Sequence, residues 1–324
     1  MNSVRPSKVV TRHRDGEIHA YVLDSGAFGT LEPAAVFRPR RRDEVVESAV
    51  WPGLERVVYT TLDSVVCLTR AGDVVWTSEF EPHSDRPYGH HPGCTLSLDG
   101  RRVWVYRPDG MAGRGGADQW VMHGADSGAV LARWELDTVG HGALQRVHPA
   151  DGSIYLNVGE GQDGSAILRA EVRADGEPEF VTYPWWDRCL IDLAPDGRQF
   201  MTVDHGQHDV AFHRHPSGDV LFSLPAEAFG HEPKETFVEW SGGYLTPDLA
   251  IVTVGGTDEN EEDEKEWFRC HLVDVRSGTV SGEITVEAAA SAYEVVPLGD
   301  GTWLTGKPDS NPVRRAHTPL APSD

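Results

Sequence analysis

Apolar residues alternate with polar residues in short runs along the whole chain, and a tight turn ends each run. Five of these turns are built on an Asp, usually followed by Gly, at Asp99, Asp151, Asp196, Asp248 and Asp300. Their spacings are 52, 45, 52 and 52 residues, and Trp51-Pro52-Gly53 fits one step earlier. A period of this length built from short strands is typical of a β-propeller blade.

Each repeat predicts four strands. After the Asp turn comes a run rich in β-branched and aromatic residues, such as 103–106 or 154–158, which favours a half-buried strand. A second loop with an Asp follows, and then a third strand, another tight turn such as 216–219, and a fourth strand. Four consecutive strands of this kind would make one antiparallel blade.

The repeats predict an all-β chain in which residues 1–324 form a single propeller domain. Five blades are expected at about 44–81, 91–137, 141–184, 187–229 and 237–287. Residues 290–319 supply only two or three strands, and residues 8–37 supply one more. Joining both ends in a sixth blade would close the ring and remove exposed sheet edges. Seven blades is the alternative, if residues 8–43 provide most of a separate blade.

The composition argues against several classes of function. The 324 residues include 51 acidic and 29 basic side chains, for a formal net charge of −22. Such a surface repels phosphate backbones and anionic lipid, which argues against nucleic-acid and membrane binding. No stretch of 18 apolar residues and no signal-peptide pattern is found, so we expect a soluble cytoplasmic protein. The four cysteines form no CxxC pair and are interpreted as buried free thiols.

Three Gly-His pairs mark the joints between blades, at residues 89–90, 140–141 and 230–231. Together with the Asp in each second loop, they resemble a degenerate WD40-type bacterial propeller, although the Trp-Asp dipeptide of that family is missing from every blade. The chain is also similar to the YVTN, TolB-like and quinoprotein-type propellers. The resemblance implies His–Asp hydrogen bonds that hold each blade in register: His90 with Asp109, His141 with Asp163, and His231 with Asp258.

One loop could supply metal ligands. Asp204, His205 and His208 combine imidazole and carboxylate groups, which suit a divalent ion such as Ca²⁺, Mg²⁺ or Zn²⁺. A metal there would support a lactonase-type hydrolase or a lyase acting on a small, perhaps cyclic, substrate in the central channel. The matching loop of the preceding blade, 159–164, indicates instead that part of this pattern is turn chemistry, and in that case no cofactor is expected.

No P-loop, G-x-S-x-G or HExxH motif is present in the sequence. The first hypothesis is therefore a non-catalytic scaffold that binds a protein or peptide partner through its loops, and the metal-dependent enzyme is the alternative. The residues proposed for the partner face are Trp185, Trp186, Asp187, His91, Asp258 and Glu259. Because the acidic run 258–264 would stay solvated, it could attract a basic partner.

Overall fold

The structure is a computed structural model that describes residues 8–23, 26–86, 90–173, 176–231, 236–258, 265–286 and 289–316. Within those ranges the regular structure consists of β-strands and three 3-10 turns, Gly161–Asp163, Ala226–Phe229 and Ala292–Glu294. The prediction of an all-β chain is confirmed. No helix among the described residues is long and apolar enough to span a bilayer.

The N-terminal segment forms four strands, β1 (Val9–Arg14), β2 (Glu17–Val22), β3 (Gly29–Thr30) and β4 (Ala35–Phe37). Three of them make an antiparallel sheet of order β1-β2-β4, called sheet I. The strand β3 belongs to a different sheet, described below.

Five four-stranded antiparallel sheets follow, each built from consecutive strands. Sheet II contains β5 (Glu47–Val50), β6 (Arg56–Thr60), β7 (Ser64–Thr69) and β8 (Val74–Glu79). Sheet III contains β9 (Gly93–Leu96), β10 (Arg102–Arg107), β11 (Gln119–Gly124) and β12 (Val130–Glu135). Sheet IV contains β13 (Gly142–Val147), β14 (Ile154–Gly159), β15 (Ser165–Val172) and β16 (Pro178–Thr182).

The remaining sheets repeat this order. Sheet V contains β17 (Arg188–Leu193), β18 (Gln199–Asp204), β19 (Asp209–Arg214) and β20 (Val220–Pro225). Sheet VI contains β21 (Thr236–Thr246), β22 (Leu249–Asp258), β23 (Lys265–Asp274) and β24 (Thr279–Ile284). Sheet VII contains β25 (Val296–Pro297), β26 (Thr302–Thr305) and β27 (Val313–Ala316), and β3 completes it.

The protein is a β-propeller with seven blades, and the expectation of six is wrong. The N-terminal segment does share a sheet with the C-terminal strands, but only through the pairs Thr30–Val313 and Gly29–Arg314. Residues 9–37 otherwise form sheet I, a blade of their own, which is the arrangement that the seven-blade alternative required.

The miscount has a physical reason in β1. Its sequence, VVTRHR, holds four polar residues among six, and every residue in it is half-buried. The strand β1 therefore lacks the apolar run or alternation that predicts a strand from sequence. The strand β2 is more apolar and largely buried. The sequence analysis therefore found one N-terminal strand where the structure has a hairpin.

Contacts divide the chain into two compact units. The first unit comprises Met1–Gly26 and Glu32–Cys189, and it holds sheets I to IV. Its core includes the fully buried rings of Trp104 and Trp120, whose centroids lie 5.0 Å apart. None of the four cysteines, all of which lie in the described ranges, forms a disulfide; Cys67 and Cys94 are buried in this unit and Cys189 is partly exposed.

The second unit comprises Ala27–Leu31 and Leu190–Asp324, and it holds sheets VI and VII together with sheet V apart from the first two residues of β17. Phe212 stacks on Phe222 with centroids 4.6 Å apart and meets Tyr244 edge-on at 6.0 Å. Buried Cys270 is the free thiol of this unit.

The Asp-Gly turns predicted from the repeat are formed as expected, since Gly197 and Gly301 take φ values of 73° and 87° that favour glycine.

Candidate functional site

Several candidate site residues lie at one end of their sheets, the end that carries the loop between the second and third strands. In an antiparallel blade, the loop between the second and third strands lies at the same end as the connection to the next blade. In sheet III this is seen directly, because Asp118, which ends the 108–118 loop, accepts a hydrogen bond from the backbone N–H of Gly140 in the connection to sheet IV, at 2.6 Å.

Asp118 joins sheet III to the connection that follows it. The residue is fully buried, and its carboxylate accepts hydrogen bonds from the Tyr106 hydroxyl at 2.8 Å, the Thr138 hydroxyl at 3.0 Å and the Gly110 N–H at 3.2 Å, besides Gly140. Burial and the nearby Asp118 charge raise the pKa of Tyr106. Four donors to one carboxylate satisfy it fully, so we interpret Asp118 as a structural residue.

Sequence reasoning missed Asp118 and selected Asp109, which begins the same loop. Asp109 is also buried, and it accepts a hydrogen bond from Arg107 Nε at 2.5 Å. Burial raises the pKa of Asp109, while Arg107 and Arg114 oppose that rise. The signal that could have identified Asp118 is its place directly before β11, one residue from the position of Asp209 at the start of the third strand of sheet V.

Arg114 anchors the middle of the 108–118 loop. Its side chain is inaccessible to solvent, and its guanidinium donates to the carbonyl oxygens of Pro82, Pro108 and Leu62 at 3.0, 3.1 and 2.6 Å. The Asp63 carboxylate lies 2.8 Å from Arg114 Nη2. The Gly-rich segment 112–116 is thus held against the preceding blade by a buried cation whose three guanidinium nitrogens all donate.

The histidines of the Gly-His pairs lie at the blade connections as expected. His90 is buried, whereas His91 and His141 are exposed and joined by a backbone hydrogen bond from the His91 N–H to the His141 carbonyl at 2.7 Å. Asp163 is exposed at the end of a 3-10 turn. The pairing of these histidines with Asp109 and Asp163 stays a prediction. In the third joint, His231 Nε2 lies 3.1 Å from His271 Nε2, and the Asp258 side chain falls outside the described residues.

The Trp-Trp-Asp segment lies in the connection from sheet IV. Trp185 stacks on Tyr183 in parallel, with centroids 5.1 Å apart. Trp186 has 47% of its surface exposed, and Asp187 is exposed and bridged to Ser165. Of the two indoles, Trp186 is therefore the one that is free to contact a partner. Glu259, the last member of the predicted partner face, lies outside the described residues.

The loop predicted to bind metal is built around a hydrogen bond within itself. His208 Nδ1 lies 2.6 Å from Asp204 Oδ2, and the His208 ring is otherwise exposed. The His205 ring faces the Trp240 ring instead, with centroids 5.7 Å apart. Two of the three candidate ligands are thus brought together, and the third is directed toward an aromatic side chain. Metal binding by this trio stays a prediction.

A β-bulge places Trp240 next to this loop. The pairing of β21 with β22 slips between Val238 and Gly242, so Glu239, Trp240 and Ser241 leave the ladder. The backbone of Val238 is tied to Gln207 in the loop of sheet V, with its N–H 2.8 Å from the Gln207 carbonyl. Trp240 has 38% of its surface exposed, and its Nε1 donates to the Asp204 carbonyl at 3.2 Å. Bulges of this kind commonly direct a side chain at a functional site.

A second exposed ring lies beside the bulge. Tyr293, in the 3-10 turn after sheet VI, is 57% exposed, and its hydroxyl donates to Glu239 Oε2 at 3.3 Å. Burial raises the pKa of Glu239 above its usual value, and the Tyr293 hydrogen bond opposes that rise. We call the set His205, Glu239, Trp240 and Tyr293 the aromatic–acidic patch. All four belong to the second unit.

The first unit contains a carboxyl group whose pKa is raised by burial. Glu47, the first residue of β5, accepts a hydrogen bond from the Cys94 N–H at 3.2 Å. Desolvation raises the pKa of Glu47 to about 7, while the Cys94 hydrogen bond and Arg146 pull it down. A Cβ at Gly93 would come within 2.6 Å of Glu47 Oε2, so a larger residue there would displace the carboxylate. Periodicity gave no indication of Glu47, since it lies in a segment with little apolar alternation.

Comparisons with known proteins define the fold and no more. No family model matches the chain, and no curated protein matches it. Solved structures do match, 908 chains in number, so the fold is too widespread to select an activity.

Two of these structures are enzymes. A dihydro-heme d1 dehydrogenase, NirN, in complex with DHE, is 14% identical with a TM-score of 0.54, and the match covers 94% of this chain and 59% of that chain. Hydrazine synthase from Kuenenia stuttgartiensis is also 14% identical with a TM-score of 0.54, over 83% of this chain and 75% of that chain. The protein is a degenerate β-propeller. At this identity the likeness extends to the fold alone.

Proposed function

We propose that the protein binds a protein or peptide partner, and that the aromatic–acidic patch of the second unit receives a basic segment of that partner. The observation that carries the proposal is Trp240, an exposed indole held in place by a bulge and a hydrogen bond. Tryptophan and tyrosine are enriched among the residues that dominate binding energy, because they offer large contact areas at low entropic cost.

Rigidity supports a binding role for the patch. Trp240 is fixed at Nε1 by Asp204 and on its ring by His205, and Tyr293 is fixed at its hydroxyl by Glu239. A partner that docks on these rings would immobilise side chains that are already ordered. The entropy lost on binding would therefore be small.

Charge indicates the kind of partner. Glu239 directly precedes Trp240 in the bulge, and its carboxylate accepts a hydrogen bond from the Tyr293 hydroxyl, so the patch contains one carboxylate. An aromatic surface with a carboxylate attracts Lys and Arg side chains through both cation–π and ion-pair interactions. The net charge of −22 adds a long-range attraction for basic segments.

The alternative, a metal-dependent hydrolase or lyase, depends on Asp204, His205 and His208. The contact of His205 with Trp240 favours the binding role, because it makes the imidazole part of the aromatic surface. The non-catalytic scaffold is therefore the function that the geometry supports best.

The test uses an array of 15-residue peptides that carry Lys or Arg at varied positions, with charge-reversed peptides as negatives. Binding is measured by fluorescence anisotropy on wild type, Trp240→Ala, Tyr293→Ala and Trp186→Ala. Trp186 is the comparison, since it is an indole of similar exposure, 47% against 38%, that the sequence placed on the partner face but that lies outside the patch.

We expect Trp240→Ala to weaken the best basic peptide by roughly tenfold or more, the range of an interface anchor. Trp186→Ala should change it by less than about twofold, as energetically neutral surface residues do. Raising salt from 50 to 300 mM should weaken binding because exposed charges are screened. Equal affinity of wild type and Trp240→Ala for every basic peptide would overturn the proposal.

A further inference from the structure

Two imidazoles lie in contact where the connection after sheet V reaches sheet VI, and neither belongs to the Asp204 loop. His231 follows the 3-10 turn at the end of sheet V, and His271 lies in β23. Their Nε2 atoms are 3.1 Å apart, and their ring planes are inclined by 69°. His271 is 4% exposed, while His231 keeps part of its surface accessible.

This separation is close to that of two imidazoles on one metal ion. With metal–nitrogen bonds of about 2.0–2.1 Å, the two nitrogens lie about 3.1–3.2 Å apart at an angle of about 100° and slightly farther apart at the tetrahedral angle. The centroids of the two rings are 5.2 Å apart. An ion would replace the hydrogen bond between the nitrogens and would lie to one side of the line that joins them.

Aromatic neighbours hold both rings in this arrangement. Phe229 contacts the His271 ring with centroids 5.2 Å apart, and Trp267 contacts the His231 ring at 5.0 Å. A pair of ligands that is fixed in advance loses little conformational entropy when it binds an ion.

A carboxylate stands on the same side of the sheet. Glu283 in β24 is the direct cross-strand partner of His271, so their Cβ atoms lie about 4.5–5.5 Å apart on one face. The Glu283 carboxylate now contacts Arg269 Nη1 at 3.2 Å and is partly exposed. Two histidines and one carboxylate, with the remaining positions open to water, suit borderline divalent metals.

We propose that His231 and His271 are the chelating pair of a binding site for a borderline divalent transition metal, Zn²⁺, Cu²⁺ or Ni²⁺, and that Glu283 becomes the third protein ligand when it exchanges its contact with Arg269 for the ion. The site is independent of the partner-binding patch. It would connect the joint after sheet V to the third strand of sheet VI. Because the ion binds the folded chain, it would also stabilise this unit.

The experiment titrates chelator-treated protein with Cu²⁺ and, separately, with Zn²⁺ in competition with a colorimetric chelator. Trp267 provides an intrinsic signal, since its ring is 5.0 Å from that of His231 and Cu²⁺ bound there would quench its fluorescence. Trp267→Phe should remove most of the quenching and leave the affinity for Zn²⁺ within about threefold. Wild type should bind one ion per chain.

Variants locate the ion. His231→Gln and His271→Gln should each weaken binding tenfold or more, and Glu283→Gln should weaken it less. His205→Ala and His208→Ala serve as matched controls, because they remove imidazoles from the other candidate site and should leave the affinity unchanged. His231→Gln alone decides the result if His271→Gln proves unfolded by circular dichroism, since His231 is partly exposed.

Three results would overturn the proposal. Wild type could fail to bind Cu²⁺ or Zn²⁺ below 100 µM. Binding could persist unchanged in His231→Gln. The controls His205→Ala and His208→Ala could abolish it instead, which would place the metal in the Asp204 loop.

Discussion

The 108–118 loop of sheet III and the aromatic–acidic patch of the second unit use similar residues in opposite ways. In the first, aspartates and arginines are buried, and their polar atoms are matched by hydroxyls, N–H groups and carbonyls. In the second, rings and a carboxylate remain at the surface with fixed orientations. Position in the repeat therefore does not decide whether a polar residue is structural or available for recognition.

The two regions also differ in loop length. The loop of sheet III is long and Gly-rich, with positive φ at Gly113 and Gly115, and Arg114 ties it to the preceding connection. The equivalent loop of sheet V, between Asp204 and Asp209, is shorter. Trp240 of the following sheet contacts this short loop through the Asp204 carbonyl and keeps 38% of its surface exposed.

The largest effect should come from removing the buried cation. Arg114→Ala leaves three carbonyls without their donor and removes the ion pair with Asp63, whose carboxylate keeps the Ser84 N–H. Breaking a largely buried pair of this kind costs about 3–5 kcal/mol. Urea denaturation measures the change. Arg198→Ala, at an exposed arginine, should stay within about 0.5 kcal/mol of wild type. A similar small loss for Arg114→Ala would show that the loop is not held by its guanidinium.

Substitution of Asp118 should have the second-largest effect on stability. Asp118→Ala leaves four donors without an acceptor, and Asp118→Asn keeps one acceptor oxygen. We therefore expect the free energy of unfolding to fall by about 2–4 and about 1–2 kcal/mol respectively. The same denaturation experiment gives both values. Equal stability of the two variants would argue that the site lacks a specific need for an acceptor.

Glu47 should make stability depend on pH. Its folded pKa of about 7 exceeds the ordinary value of 4.5, so the folded state holds this proton more tightly. The stabilisation is complete below pH 4.5 and is lost as pH rises through about 7. Glu47→Gln should therefore stabilise the protein at pH 8 by roughly 1–3 kcal/mol. Near pH 4 it should change little, and a pH-independent difference would contradict the assignment.

The smallest effect on stability is expected in the patch. Trp240→Ala and Tyr293→Ala remove exposed rings and should each cost less than about 1 kcal/mol in stability, although peptide binding weakens. A loss of several kcal/mol would make Trp240 a structural residue like those around Asp118.

Glu239 should make peptide binding at the patch depend on pH. Because burial raises its pKa, binding of a basic peptide should start to weaken, as pH falls, at a higher pH than an ordinary glutamate would give. Glu239→Gln should remove this dependence. An unchanged pH profile in that variant would assign the effect to another carboxylate.

Much of the architecture could be predicted from the repeat. The strands of sheets II to VI lie within or close to the expected blades, because Asp-Gly turns and β-branched runs are local signals. The patch could be predicted only in part: His205 was a candidate, whereas Glu239, Trp240 and Tyr293 were not. A bulge depends on the register of two strands, and register is not written in one segment alone.

The sequence by itself determined that the chain is a propeller of antiparallel blades, because each blade is specified by turns and alternation within about fifty residues. Only the tertiary structure decided that there are seven blades, that Asp118 joins sheet III to the connection that follows it, and that His231 meets His271. These outcomes depend on contacts between segments far apart in the chain, where burial and hydrogen bonding override local preference.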